Sequence, residues 1–139
     1  MTVDAAPDPN QPALIRHIIP VVVGVLITGM LTIVTTNWFS VRGLLPAPGA
    51  PATTGVLLLS IAYRGLFVVV GSHMAARLAP AGQPRIRYAI AAGVLVLAVN
   101  VVAALAERDA APLWFLIANI ALPVPCAIIG GGTAARRGR

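Results

Sequence analysis

Arg64 lies in the middle of a long apolar stretch, "SIAYRGLFVVVGSH", and its chemistry raises the first question about this sequence. A guanidinium carries a fixed positive charge and five N–H donors, so placing it among aliphatic side chains is costly unless acceptors surround it. Carboxylates are its usual partners, but no acidic residue occurs inside any long apolar stretch of the chain. We therefore consider neutral acceptors inside the membrane, groups at the membrane surface, and a bound anion.

Two prolines near the end of the chain create neutral acceptors. In "NIALPVPCAIIGG", Pro123 and Pro125 have no N–H, so the carbonyls four residues before them lose their helical donors. Lipid supplies no donor in their place, so these carbonyls need partners from the protein. We predict that Arg64, together with Asn100 and Asn119, meets this need.

The composition places these residues in a membrane protein. The chain has 139 residues, of which 58% are hydrophobic and 10% are charged, whereas soluble domains carry roughly a quarter charged residues. About 20 apolar residues in a helix cross a bilayer, and four segments qualify: 18–39, 55–76, 88–106 and 113–135. We predict an all-α membrane protein, an antiparallel four-helix transmembrane bundle. Residues 13–139 would form this single domain, and residues 1–12 a disordered cytoplasmic tail.

The positive charges predict the orientation of the four spans. All ten basic residues are arginine, and the two sides of the membrane would hold seven and two of them. The richer side holds Arg16, Arg77, Arg85, Arg87, Arg136, Arg137 and Arg139. Because basic residues stay on the cytoplasmic side, both termini are predicted to be cytoplasmic in a bacterial inner membrane. Trp38 and Trp114 then lie at the outer interface, where aromatic belts occur.

This topology places several polar side chains at a similar depth. At about 1.5 Å per helical residue, Arg64 lies roughly 13 Å below the outer surface, Thr32 roughly 10 Å, and Asn100 and Asn119 roughly 9 Å. Tyr63 is adjacent to Arg64 in the chain. The sequence therefore predicts a polar layer in the outer half of the bilayer, which is our candidate ligand-binding site.

Arg64 has a second interpretation. Helical side chains lean toward the N-terminus of their helix, and the second span begins outside. The guanidinium could then extend outward to lipid phosphates or to Glu107 and Asp109. The residue types leave both interpretations open.

Small residues at four-residue spacing, such as Gly24 with Thr28 and Gly71 with Ala75, are typical of closely packed membrane helices. The lipid bilayer is the direct partner that we expect, with a homo-oligomer or another membrane subunit as further possibilities. We expect no nucleic-acid partner, because the arginines lie at membrane edges rather than in a soluble basic domain.

Several residue sets needed for membrane catalysis are missing. The chain has one cysteine, Cys126, and two histidines, His17 and His73, both near the cytoplasmic face. Paired cysteines, axial histidines and an intramembrane acid are absent from the sequence, so we predict no enzyme activity, no cofactor and no metal site.

Two segments, "AYRGLFVVVGSHMAARLAP" (62–80) and "LPVPCAIIGG" (122–131), resemble an uncharacterised family of small bacterial membrane proteins. Members have four spans, a Tyr-Arg pair in the second span, an Ala-Arg-Leu-Ala-Pro exit, and a Pro-Cys and a Gly-Gly in an aromatic-led fourth span. The matching positions here are Tyr63, Arg64, Gly71, 76–80, Trp114, Phe115, Pro125, Cys126, Gly130 and Gly131. The resemblance implies the four-span fold and carries no assigned activity.

These observations lead to two hypotheses. In the first, the protein is a non-enzymatic accessory or structural component of the inner membrane, with a polar layer organised by Arg64. In the second, it is a small transporter or channel subunit that binds an anion or an anionic lipid at Arg64. The two differ in whether the polar layer is packed or has room for a ligand.

Overall fold

The computed structural model describes residues 12–45, 52–106, 109 and 111–136. These residues form α1 (Ala13–Val41), α2 (Thr54–Arg77), α3 (Arg85–Ala106), α4 (Leu113–Ala121) and α5 (Pro123–Arg136). The helices α4 and α5 together make the fourth span, and each of the four spans is long and apolar enough to cross a membrane. The predicted all-α four-helix bundle is confirmed. Of the predicted tail 1–12, only Pro12 lies within the described residues.

Two helices begin earlier than the hydropathy of the sequence indicates. The helix α1 begins at Ala13 rather than near residue 18, and α3 begins at Arg85 rather than near residue 88. Hydropathy detects only the segment surrounded by lipid. The helical hydrogen bonds continue for about one more turn, into the interfacial region where Arg16 and Arg85 lie.

The fourth span is interrupted at Leu122. The backbone of Leu122 stays helical, with φ −62° and ψ −41°. The Leu122 N–H donates to the Ala118 carbonyl at 3.0 Å, and the Cys126 N–H donates to the Leu122 carbonyl at 3.3 Å. Since Pro123 and Pro125 cannot donate, the helix loses hydrogen bonds at this point.

The helices α2 and α3 form the centre of the bundle. Each packs against the other, against α1 and against the fourth span, whereas no contact joins α1 to α4 or α5 within the described chain. Consecutive spans run antiparallel, because Thr36 near the end of α1 meets Tyr63 in the first half of α2, while Gly24 meets Gly71 in its second half. The first and fourth spans therefore lie on opposite sides of the α2–α3 pair.

The contact between α1 and α2 depends on two glycines. A Cβ atom at Gly71 would lie 2.4 Å from the Gly24 carbonyl oxygen and 2.1 Å from Thr28 Oγ1. The Thr28 hydroxyl is oriented toward two carbonyls, at 3.0 Å from that of Gly24 and 3.3 Å from that of Phe67. The close approach predicted for Gly24, Thr28 and Gly71 is confirmed here. Gly29 on α1 takes no part in it, because a Cβ atom there would meet nothing within 4 Å.

The two ends of the bundle differ in composition. We call one the arginine-rich end, because its helix ends carry these residues: Arg16, Arg77, Arg85, Arg87 and Arg136. The opposite end, which we call the tryptophan end, carries Trp38 and Trp114, and the Arg42 guanidinium lies 5.1 Å from the centre of the Trp38 ring. The first and last described helix termini both lie at the arginine-rich end.

Candidate functional site

Arg64, Asn100 and Asn119 come together from α2, α3 and α4. Arg64 Nη1 donates to Asn119 Oδ1 at 3.4 Å, and Asn100 Nδ2 donates to the Asn119 backbone carbonyl at 2.8 Å. Asn119 Nδ2 in turn donates to the Phe115 carbonyl one turn earlier, at 3.1 Å. We call these three residues the Arg64 cluster. Asn119 is its central member, because it accepts from both of the other two.

The Asn119 carbonyl is one of those that the prolines leave without a helical donor. Asn100 supplies the missing donor, so an amide of α3 takes the place of the helical N–H at the Asn119 carbonyl. Of the residues predicted to meet this need, Asn100 binds the Asn119 carbonyl. Arg64 binds the Asn119 side-chain oxygen rather than the carbonyl.

The surroundings of Arg64 are small and partly polar. The side chain is half-buried, and its Nε atom is buried with no hydrogen-bond partner in the described structure. A cavity of about 20 Å³ adjoins it, lined by the Arg64 cluster and by Ala103, Ala104, Phe115 and Leu116. A space of this volume holds about one water molecule. The 3.4 Å distance to Asn119 is also long for an N–H···O bond, which typically measures about 2.7–3.2 Å.

An apolar cluster lies between the Arg64 cluster and the tryptophan end. Leu57, Phe115 and Leu116 are buried together, with Ala52 and Ala111 packed against them. Leu57 precedes Arg64 by seven residues, which is about 10 Å along α2. These side chains separate the guanidinium from the nearest membrane surface. Their position argues for a bonded arginine rather than one extended to lipid phosphates.

The structure places the other two predicted site residues elsewhere. The Tyr63 hydroxyl lies 2.9 Å from Thr36 Oγ1 on α1, and its ring meets Phe39 edge-on at 5.6 Å. The Thr32 hydroxyl donates to the Thr28 carbonyl of its own helix at 2.8 Å. Neither residue is bonded to Arg64, although depth along the membrane normal placed both at a similar level.

Sequence reasoning missed Phe115 and Thr36. Phe115 contributes its carbonyl to Asn119 and its ring to the cavity wall. The only local signal was the four-residue spacing between Phe115 and Asn119, which places them on one helix face. Thr36 gave no signal, because its role depends on how α1 packs against α2.

The histidines take part in separate contacts near the arginine-rich end. His17 Nδ1 is hydrogen-bonded to the Tyr88 hydroxyl, which joins α1 to α3. His73 Nδ1 lies 3.0 Å from Thr133 Oγ1 and 3.3 Å from the Gly130 carbonyl, which joins α2 to α5. Among the described residues, no three or more His, Cys, Asp or Glu side chains are placed to hold one metal ion.

Comparison with known proteins adds no relative to this description. No family model, no curated protein and no solved structure matches the chain. The functional argument therefore rests on the residues and their geometry.

Proposed function

We propose that the protein is a non-enzymatic, multi-pass component of the bacterial inner membrane, with an accessory or structural role and with both termini in the cytoplasm. The observation that carries this proposal is the Arg64 cluster: three helices are joined by two hydrogen bonds to one asparagine, beside a cavity of only about 20 Å³. A cavity of that size has no room for an organic solute. The resemblance to the small four-span bacterial family is part of the same proposal.

In this role, Arg64 specifies which helix faces meet rather than adding much stability. Removing a guanidinium from water carries a desolvation cost that neutral acceptors offset only in part. An unpaired donor is even more costly, so α2 favours the rotation that directs Arg64 toward Asn119. Asn119 also fixes the position of the fourth span against α3, because its carbonyl accepts from Asn100.

The test replaces Arg64 with an apolar side chain of similar length. In Arg64→Met we expect the melting temperature in detergent to be unchanged or higher, because the variant removes the desolvation cost of the guanidinium together with only one long hydrogen bond. Arg42→Met is the matched control, since it removes the same charge from an exposed position at the tryptophan end. Adding sodium chloride or sodium phosphate to a gluconate buffer should shift neither variant nor the wild type.

A second candidate function is favoured by one observation. Arg64 Nε is buried without a partner beside the small cavity, an arrangement that suits a single small anion as well as a water molecule. The protein would then be a transporter or channel subunit that binds an anion at Arg64. Chloride would raise the melting temperature of the wild type and of Arg42→Met, but not that of Arg64→Met. That result would replace the structural proposal with the second one.

Partner subunits and copy number belong to the same question. Native mass spectrometry of protein released from a mild detergent would report whether the chain is isolated as a monomer, a homo-oligomer or a complex with another membrane subunit. An accessory role predicts a retained protein partner or a defined oligomer.

A further inference from the structure

Two shallow, neighbouring depressions lie along α1 and α3. The first, of about 290 Å³, is lined by His17, Val21, Gln83, Arg87, Tyr88 and Ala91. One helical turn further, the second, of about 580 Å³, is lined by Val25, Leu95, Ala98, Val99, Val102, Ala103 and Ala106. The step from Val21 to Val25 and from Ala91 to Leu95 is four residues, so both depressions lie on the same helix faces. We call them together the α1–α3 groove.

The polar groups of the α1–α3 groove are concentrated at the arginine-rich end. Arg87 and Gln83 are exposed there, and the Arg87 guanidinium donates to no residue within the described chain, although its backbone N–H donates to the Pro84 carbonyl at 3.1 Å. Arg85, two residues earlier, does have a partner for its guanidinium, because its Nη1 donates to the Ala134 carbonyl at 3.2 Å. His17 is held against Tyr88 by a hydrogen bond and by ring stacking at 6.0 Å, and it forms part of the same wall.

Beyond these groups the groove is apolar for a defined length. From Ala91 to Val102 the α3 wall consists of alanine, leucine and valine side chains. Eleven residues of helix span about 16 Å. One leaflet of a bilayer contributes about 15 Å of hydrocarbon, half of a core about 30 Å thick. The apolar part of the groove is therefore about as long as one acyl chain of the adjacent leaflet.

We propose that the α1–α3 groove binds one anionic glycerophospholipid from the leaflet at the arginine-rich end. The phosphate lies at Arg87 and Gln83, with His17 beside it, and one acyl chain follows Val21, Val25 and the apolar face of α3. Charge complementarity selects the anionic class, because the helix ends around the groove carry the excess of arginine. The proposal does not depend on the role of Arg64, which lines neither part of the groove, although Ala103 borders both the groove and the cavity beside Arg64.

The first experiment measures lipid retention on the intact protein. Wild-type protein in mild detergent is titrated with phosphatidylglycerol, or with phosphatidylcholine of the same acyl chains, and is analysed by native mass spectrometry. We expect one phosphatidylglycerol per chain to be retained in preference to phosphatidylcholine. In Arg87→Gln the apparent affinity should fall about fivefold, the factor expected for one arginine near a membrane surface. Arg77→Gln, which removes a charge at the same end but outside the groove, should stay within about twofold of the wild type.

A second pair of variants tests the apolar part. Ala91→Phe fills the groove and should abolish selective retention, whereas Val94→Phe places the same ring on an exposed face of α3 outside it and should not. Melting temperatures would verify that both variants fold. Equal retention of the two lipids, or equal losses in Arg87→Gln and Arg77→Gln, would overturn the proposal. A lipid-free dimer that Ala91→Phe dissociates would show instead that the groove binds a second copy of the chain.

Discussion

At the scale of single residues, Asn119 explains how one arginine is accommodated without a carboxylate in the helices. Its side chain accepts from Arg64 and donates to Phe115, while its backbone carbonyl accepts from Asn100. An amide can do this because it has both an acceptor and donors. The Asn119 side chain therefore provides one acceptor for the guanidinium, and Asn100 provides the donor for the backbone carbonyl that Pro123 leaves without one.

The contribution of the Asn100–Asn119 hydrogen bond to stability should depend on Pro123. Asn100→Ala leaves the Asn119 carbonyl without a donor and should destabilise the protein by about 1 kcal/mol, within the range measured for hydrogen bonds between membrane helices. In a Pro123→Ala background, the new N–H can donate to that carbonyl, so Asn100→Ala should cost close to nothing. A double-mutant cycle of unfolding free energies in detergent or bicelles measures this coupling.

The control for this cycle is Asn37→Ala, which removes an exposed asparagine of α1 and should have the same small effect in both backgrounds. An equal cost of Asn100→Ala with and without Pro123 would show that the freed carbonyl has another partner. The cycle also cancels the packing loss at Pro123, which is fully buried.

At the scale of helices, α2, like α3, packs against every other span. One face of α2 contacts α1 through Gly71. Another face contacts the fourth span through Arg64 and His73. Close backbone approach on one face and a polar contact on another fix its rotation. Pro123 contributes to the packing of the fourth span against α3, because it frees the Asn119 carbonyl to which Asn100 donates.

The two glycines of α1 and α2 should be far less replaceable than Gly29. Gly71→Ala would drive a Cβ into the Gly24 carbonyl and the Thr28 side chain, and it should destabilise the protein by about 1–3 kcal/mol. Gly29→Ala has open space around the new methyl and should be neutral, or stabilising by up to about 1 kcal/mol through helix propensity. Thermal unfolding of both variants measures the difference. Similar melting temperatures would contradict the close approach of α1 and α2.

At the scale of the whole molecule, charge and aromatic residues divide the bundle into two ends. The start of α1 and the end of α5 both lie at the arginine-rich end, so the two ends of the described chain are on the same side of the bundle. The excess of arginine there predicts that this side is cytoplasmic. The same asymmetry supports the lipid proposal, because the leaflet beside these arginines is the one from which an anionic lipid would enter the α1–α3 groove.

Labelling of single cysteines tests this orientation. In a Cys126→Ala background, Leu44→Cys places a thiol at the tryptophan end and Gln83→Cys places one at the arginine-rich end, both at exposed positions. A maleimide that does not cross membranes should label residue 44 in intact spheroplasts, and residue 83 only after the membrane is opened. The opposite pattern would invert the topology and remove the cytoplasmic assignment of the termini.

The sequence by itself determined the number and type of the elements. Four apolar segments separated by helix-breaking residues are enough to predict four membrane helices, since only a helix satisfies its own backbone in lipid. The missing donor at Pro123 was also a local property, and so was the need for a partner at the Asn119 carbonyl. The depth of each polar residue in the bilayer could also be predicted, because helical rise converts position in the chain into distance along the membrane normal.

Only the tertiary structure decided which polar residues meet. Tyr63 and Arg64 share a depth, but consecutive residues point about 100° apart around a helix, so one faces α1 and the other faces the fourth span. The rotation of each helix is not written in its hydropathy, because lipid and the protein interior are equally apolar. It is set by contacts between helices, such as Gly24 with Gly71 and Asn100 with Asn119, which exist only once the spans have packed.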